Sequence, residues 1–531
     1  MAFVAPRFGA APVPAAGGRH PIVVAGGGLV GLTLALDLAQ RGVDVVVLDD
    51  DDTVSTGSRA ICFAKRTLEI FGRLGLGARM LEKGITWNVG RVFAGERQLF
   101  DFDLLPEDGH EYPAFVNLQQ YYAEQWLVEA CQATGRVDLR WCHAVAGVEP
   151  RADGVLLSVD APGGTYTLHA DWLAAADGAR SFVRSSLDLP FVGKTFRDRF
   201  LIADVVMQAP FPTERWFWFD PPFHRNQSAL LHKQPDGVWR IDLQLGWDAD
   251  PEEEKRPERV IPRVQAMLGP DVPFTLEWVS VYTFRCRRLE RFVHGRVVFV
   301  GDSAHQVSPF GARGGNGGIQ DADNLGWKLA AVLAGADPAL VGTYDAERMM
   351  AADENIGHST RATDFITPKT DAARAYRDAA LALAARHPFA RPLVNSGRLS
   401  RPAVVPVALG DGDAWPGCLP PGTPAPDAPM QRGGAPDWLL RHTHGPGFTL
   451  LVFGPATPGV PGTGTVRIAP DALLDVRGLA AERYGARPGS CVLLRPDQHV
   501  QACFARFDAV RIAAAIQAAS GAAPAQLGRV A

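Results

Sequence analysis

Apolar residues first fall into a clear pattern at His20, where HPIVVAGGG carries a short hydrophobic run into glycines. LVGLTLALDLAQRG follows with apolar positions at helical spacing, and VDVVVLDD is a second β-branched run. Strand, glycine turn, helix and strand within about 30 residues form a βαβ unit and predict a parallel sheet. From Arg59 to Leu76 the spacing predicts an amphipathic helix closed by Gly75 and Gly77. Strands are expected over 86–104, a helix over 119–133, and a hairpin or meander over 145–175.

The texture changes between 188 and 285. SALLHK and VWRIDLQLGW alternate about a turn at Pro235–Gly237, as an antiparallel hairpin does, and EEEKRPERVIPRVQAML reads as a surface helix. The apolar parallel-strand pattern returns as RVVFVGD near 296, before a glycine loop, the helix DADNLGWKLAAVLAG and a further helix over 344–366. Pro and Gly dominate 386–436, and the strands FTLLVFG and CVLLRPD with the helix AVRIAAAIQAA close the chain. The partition expected is a flexible tail over 1–19, a Rossmann-like α/β domain over 20–187 and 286–385, an inserted antiparallel-sheet domain over 188–285, a linker over 386–436 and a small α/β domain over 437–531.

Length and composition agree with this. At roughly 150 residues per domain, 531 residues suggest about three domains. With 47% apolar and 21% charged residues, extensive disorder is excluded. A net charge of -5 gives no strong field for nucleic acid. Seven cysteines without a C-x-x-C point to reduced thiols and the cytoplasm, and no stretch approaches the 18 or so apolar residues of a membrane span. The opening MAFVAPRFGAAPVPAAGG makes a poor signal peptide. No metal is expected, since His442-x-His444 shows no nearby carboxylate or thiol.

Three motifs carry chemistry. Gly26-x-Gly28-x-x-Gly31 lies between a strand and a helix. Its glycines permit a tight turn, close backbone approach to a pyrophosphate and close helix packing. Asp49 ends the second strand about 20 residues on, where a carboxylate takes a ribose diol. Asp177-Gly178-Ala179-Arg180-Ser181, with Arg184, follows the apolar strand DWLAAA. Gly301-Asp302 follows RVVFV and leads through Pro309 to Gly311, Gly314, Gly315, Gly317 and Gly318. There Asp302 can bind sugar-like hydroxyls, while bare backbone can approach a flat ring at the N-terminus of a helix.

These motifs, in this order over about residues 20–365, closely resemble the group A flavoprotein monooxygenases, the family of p-hydroxybenzoate hydroxylase and phenol hydroxylase. The resemblance implies FAD as cofactor and NAD(P)H as cosubstrate, with the first glycine motif on the ADP half, the Asp177 motif serving FAD and NAD(P)H, and Asp302 on the ribityl chain. It implies contacts to FAD from Gly314, Gly315 and Asn316 by backbone, and from Arg59 and Gln120 near the pyrophosphate or ribityl region. Gln119 makes the register of the last uncertain by one, and Arg313 and Gly315 depart from the Gln and Met that relatives often carry. Without a second strand-linked G-x-G-x-x-G, NAD(P)H would dock transiently on the FAD domain.

The reaction implied is transfer of one oxygen atom from O2, through a flavin C4a-hydroperoxide, to a small phenolic substrate. Its pocket should lie between inserted sheet and flavin. His224, Gln244, Tyr282 and Pro309 are the catalytic candidates; Arg240 and Asp242 share one strand face with Gln244, a face expected to meet water slightly sooner than the pocket. His232 and Gln227 are further candidates, and Arg215 or Arg225 could anchor a substrate carboxylate. The C-terminal region resembles the thioredoxin-like domain of phenol hydroxylase; lacking C-x-x-C, it would serve packing or homodimerisation. A flavin-binding sensor or scaffold is the alternative, whereas the G-W-x-W-x-I of flavin-dependent halogenases is not matched by WFWFDPP.

Overall fold

The computed structural model describes residues 3–14, 18–57, 60–209, 211–394, 399–407 and 412–520. A β-branched, doubly covered sheet holds the first unit together. Its strands run in the order Val293–His294, Val297–Phe299, Gly164–Ala175, Arg19–Ala25, Val45–Asp49 and Val137–Trp141, the last five mutually parallel. Ile22, Val23, Val24 and Val45–Leu48 are all buried, as expected where helices cover both faces of a parallel sheet. The meander expected over 145–175 is present: Ala144–Arg151 and Gly154–Ala161 pair in antiparallel fashion and lead into Gly164–Ala175.

A second sheet runs His305–Gln306, Phe274–Leu289, Phe191–Met207, Val238–Leu245, Ser228–Lys233, Arg215–Phe219, Val89–Ala94 and Arg97–Asp103. It is antiparallel except where Arg215–Phe219 meets Val89–Ala94. The sheet is therefore wider than residues 188–285, because the hairpin over 89–103 completes it. Its turn at Val238 closes as expected, with Asp236 and Gly237 both at positive φ.

The polar strand face proves to be the inner one. Helix Pro257–Leu268 covers the other face, packing Val260, Val264 and Leu268 on Leu201, Ala203, Ile241 and Leu243. Arg240 is consequently 4% exposed rather than solvated.

Three more expectations change. Cys62–Ala64 is a strand paired with Phe115–Asn117, and the helix starts only at Lys65. Residues 3–14 are not loose: Phe3 stacks on Tyr121, Phe8 stacks on Trp141, and Thr53 Oγ1 donates to the Pro6 carbonyl. The segment over 386–436 is not all linker, since Pro429–Arg432 is a strand of the C-terminal sheet and Ala425 and Ala428 are in its core.

The C-terminal sheet centres on Phe448–Phe453, parallel to Thr463–Ile468 and antiparallel to Cys491–Leu494. Tyr484 is fully buried there, and its hydroxyl has no hydrogen-bond partner among the described residues. An unpaired buried hydroxyl costs about 1–3 kcal/mol. Tyr484→Phe is therefore expected to hold or raise the melting temperature, and a fall of several degrees in calorimetry would refute the unpaired assignment.

Buried ions join this sheet to the first unit through helix Gly314–Leu333. Arg495 pairs with Glu347 at 2.8 and 2.9 Å and donates to Asp497, which also accepts from Asn324 at 3.0 Å. Arg66 reaches both Asp323 and the Asp497 carbonyl, while Arg73 bridges Asp323 and Asp37.

Candidate active site

The three motifs meet at the carboxyl edge of the parallel sheet, the edge at which open α/β sheets bind ligands. Gly26, Asp177 and Asp302 each follow the carboxyl end of a strand, and those strands are neighbours. Gly26 has φ +104°, and a Cβ there would lie 2.5 Å from the Ala176 carbonyl oxygen. A Cβ at Gly31 would lie 2.0 Å from the Gly26 oxygen, so helix Leu29–Gln40 packs this closely only on glycine. At Gly28 a Cβ would meet only Glu124 Oε1 at 3.8 Å, leaving room for a ligand beside the first-turn amides.

Asp49 sits beside that turn. Its Oδ2 accepts from the Gly27 amide at 2.5 Å and its Oδ1 from the Asp51 amide at 2.9 Å. Burial raises its pKa to about 6 against those two amides. Remaining lone pairs on both oxygens can still take a diol.

Gln120, not Gln119, is on this side. Its amide oxygen accepts from Ala60 N, and its Nε2 donates to Ser55 Oγ and Glu124 Oε1, whereas Gln119 turns to the Pro235 carbonyl. Glu124, unmarked in the sequence, belongs to the site: its carboxylate accepts from the Leu29 amide at 3.1 Å and from Ser55, capping the glycine-motif helix across 95 residues. Only its i+4 spacing from Gln120 could have signalled it. Arg59 lies outside the described residues.

Asp177 Oδ2 accepts the Val183 amide, while its buried Oδ1 has no hydrogen-bond partner among the described residues. Burial raises its pKa. Arg184 is held by the carbonyls of Ser303 and Ala179 and ties this motif to the next. Asp302 is exposed in a short turn that opens at Gly301, φ +63°. Behind it, Asp321 accepts from the Gly301 amide, contacts His305 Nε2 at 2.6 Å and pairs with Arg348. Burial alone would raise Asp321, but His305 and Arg348 hold it at about 2.

Gly311 and Ala312, both at positive φ, swing the chain into helix Gly314–Leu333, a turn closed by the Ala312 amide on the Pro309 carbonyl. Pro309 itself is exposed. A Cβ at Gly318 would fall 2.6 Å from Val30, so the two helix N-termini that flank the site converge. Asn316 is not open to a ligand through its side chain, which accepts from Ala64 N and Thr67 Oγ1 and donates to the Cys62 and Ala312 carbonyls. What the helix can offer a ring is the row of first-turn amides at Gly314, Gly315 and Asn316.

A cavity of about 230 Å³ adjoins this loop. Its walls include Phe217, Phe219, Phe310 and Phe365, with Arg91, Arg215 and Arg361 among its polar lining. Arg91 is engaged by Glu214 and Arg361 by His358.

Of the catalytic candidates, Tyr282 and Gln244 share the sheet face that meets this loop, in register through Phe200, and Tyr282 stands beside Phe284, which packs on Phe310. Burial, then Asp302, raises its pKa. His224 is turned away, its Nε2 bonded to the Gln244 carbonyl at 2.6 Å and its pKa lowered by burial. The Gln244 side chain is engaged by the Ser228 amide. Among the described residues no group of three His, Cys, Asp or Glu could hold a metal, and His442 pairs with Asp437, a carboxylate partner unseen in the sequence.

Two glycine-lined helix ends at one sheet edge, with an orphaned Asp177 oxygen between them, fit a dinucleotide flavin and define a dinucleotide-binding flavoprotein. Residues 19–359 match the FAD binding domain family, to which the chain belongs. It is 30% identical to a flavin-dependent monooxygenase of Mycobacteroides abscessus over 90% of this chain and 96% of that one. It is 32% identical to the 6-methylpretetramide 4-monooxygenase of Streptomyces rimosus over 94% and 93%. The flavin-dependent monooxygenase PieE, solved with FAD and substrate, shares the fold with a TM-score of 0.78 at 24% identity, over 96% of this chain and 99% of that one. The chain is an FAD-dependent monooxygenase of the aromatic-hydroxylase class.

Proposed function

We propose that the chain hydroxylates a small phenolic compound at the expense of NAD(P)H and O2. The observation that carries this is the phenylalanine-walled cavity opening directly on the loop between Asp302 and Gly314. Bound FAD supplies the redox chemistry, taking electrons from NAD(P)H and delivering one oxygen of O2 to the ring. Gly26, Gly28 and Gly31 would hold its pyrophosphate, Asp49 its ribose, and Asp177, Gln120 and Asp302 the middle of the molecule. The first-turn amides of helix Gly314–Leu333 would face the ring edge that becomes anionic on reduction. Phe217, Phe219, Phe310 and Phe365 exclude water and orient the substrate ring.

The C-terminal unit, read as thioredoxin-like, serves packing or homodimerisation, and the cytoplasm suits the seven free thiols. Among the described residues, no helix is long and apolar enough to cross a membrane.

Purified yellow protein should oxidise NAD(P)H several-fold faster with a phenol present, and under oxygen-18 gas the product should carry one labelled atom. Slow, phenol-independent oxidation without product would instead favour a flavin-binding sensor or scaffold.

A further inference from the structure

The inner face of the second sheet carries a polar cluster that cofactor binding does not use. Register aligns Phe217 with Leu230 and Leu230 with Asp242, placing Arg215, His232 and Arg240 beside them on the same face. Arg240 is satisfied by both oxygens of Asp204, at 2.8 and 2.9 Å. Asp242 is not satisfied. Its carboxylate accepts no hydrogen bond among the described residues, its Oδ1 is sealed from solvent, and its Oδ2 lies 3.8 Å from His232 Nε2. The side chain nevertheless keeps 19% exposure, so the group is reachable.

Arg215 lines the cavity, and it too lacks a hydrogen bond or ion pair among the described residues. The cluster lies against Cys62, whose carbonyl accepts from Asn316 at the start of helix Gly314–Leu333. An acceptor and a cation, neither with a hydrogen bond among the described residues, thus border the ring end of the cofactor site. Leaving both unpaired is costly unless a ligand completes the set.

Resting on the phenol-hydroxylase reading above, we propose that Asp242 accepts the proton of the substrate's ring hydroxyl while Arg215 stabilises the oxyanion left behind. The O–H bond breaks, the proton passes to the Asp242 carboxylate, and the negative charge moves to the phenolate oxygen, so the net charge of the cavity is unchanged. The electron pair released into the ring makes its carbon nucleophilic towards the incoming oxygen. The substrate class that needs this help is a phenol that is neutral when it binds.

The electrostatics suit the role. Burial, followed by the opposing pull of Arg240 and Arg215 and a contribution from Asp204, leaves Asp242 raised to about 6. That brings it closer to a phenol while keeping it ionised at neutral pH. His232 is held neutral, its pKa driven well down by burial and by Arg215 and Arg240, and burial pushes the Cys62 thiol up to about 11, so neither competes for the proton.

The test compares the holoenzyme with Asp242→Asn on two probes: phenol, neutral in the assay, and 2,3,5,6-tetrafluorophenol, already ionised there. Product formation from phenol should fall about 100-fold or more in the variant, with FAD occupancy unchanged, while tetrafluorophenol should lose less than about fivefold. Equal losses on both probes, or no loss on phenol, would overturn the assignment. Should the variant not fold, the wild-type pH profile decides. As pH falls from about 8 towards about 6, where Asp242 takes up its proton, turnover of phenol should decline, while turnover of tetrafluorophenol, whose own hydroxyl reprotonates only below that range, should not; a shared limb over this range, or none, overturns it. Arg215→Met should weaken both probes, since both present an oxyanion. If neither phenol accelerates NAD(P)H oxidation by FAD-loaded wild type, the hydroxylase reading falls and takes this proposal with it.

Discussion

Arg495→Ala is expected to destabilise the protein by about 3–5 kcal/mol, the cost of stripping a cation from buried carboxylates. Arg495 is 3% exposed and bonded to both Glu347 and Asp497. Without it Asp497 loses its principal cation, and Glu347 is left with Lys328 at 3.0 Å and the Asn324 amide at 2.7 Å. Chemical unfolding followed by far-UV dichroism measures the loss, and a change under about 1 kcal/mol would show that the network contributes little.

The same groups set the acid limit. Burial would raise Glu347, but Arg495 and Lys328 hold it at about 2, as His305 and Arg348 hold Asp321. A carboxylate depressed by folding stabilises fully above its unfolded pKa, near 4, and the contribution disappears as pH falls towards the folded value. Stability should therefore drop between about pH 4 and pH 2, with a shallower slope in Glu347→Gln. Helix Gly314–Leu333 carries Asp321, Asp323, Asn324 and Lys328 as well as the flavin-facing amides, so loosening this network also loosens the site.

The second large effect is on cofactor binding. Asp302→Ala removes the carboxylate placed for the ribityl hydroxyls, and a hydrogen bond to a charged group contributes about 1.5–3 kcal/mol. FAD affinity should fall roughly tenfold to a hundredfold, leaving purified protein pale but folded. Flavin absorbance after gel filtration, beside an unchanged dichroism spectrum, is the check. Full FAD occupancy in the variant would remove Asp302 from the site.

What was legible in the sequence is what local geometry determines. The glycine spacing about Gly26, the strand-ending Asp49 and the Gly301-Asp302 turn all express constraints acting within a few residues. Pairings across a hundred residues leave no such trace. Nothing in Val89–Ala94 announces that Arg215–Phe219 will lie beside it in parallel, which is why the second sheet is wider than its contiguous stretch. Two-residue periodicity in Val238–Leu245 separates two faces but does not name the inner one; helix Pro257–Leu268 decides that by covering Ile241 and Leu243. Glu124 and Asn316 look like ordinary helix polar residues until the fold brings their partners from elsewhere in the chain. The opening segment is anchored, not a loose tail, because among its prolines stand two aromatic anchors, Phe3 and Phe8.

The most direct test of the site is a crystal structure of the protein with FAD bound. The isoalloxazine should rest on the first-turn amides of Gly314–Asn316 and face the Arg215–Asp242 side of the second sheet, with the pyrophosphate over Gly28. A ring displaced from that helix end, or an adenine half bound away from the Gly26–Gly31 turn, would contradict the placement of the cofactor and of every residue assigned to act beside it.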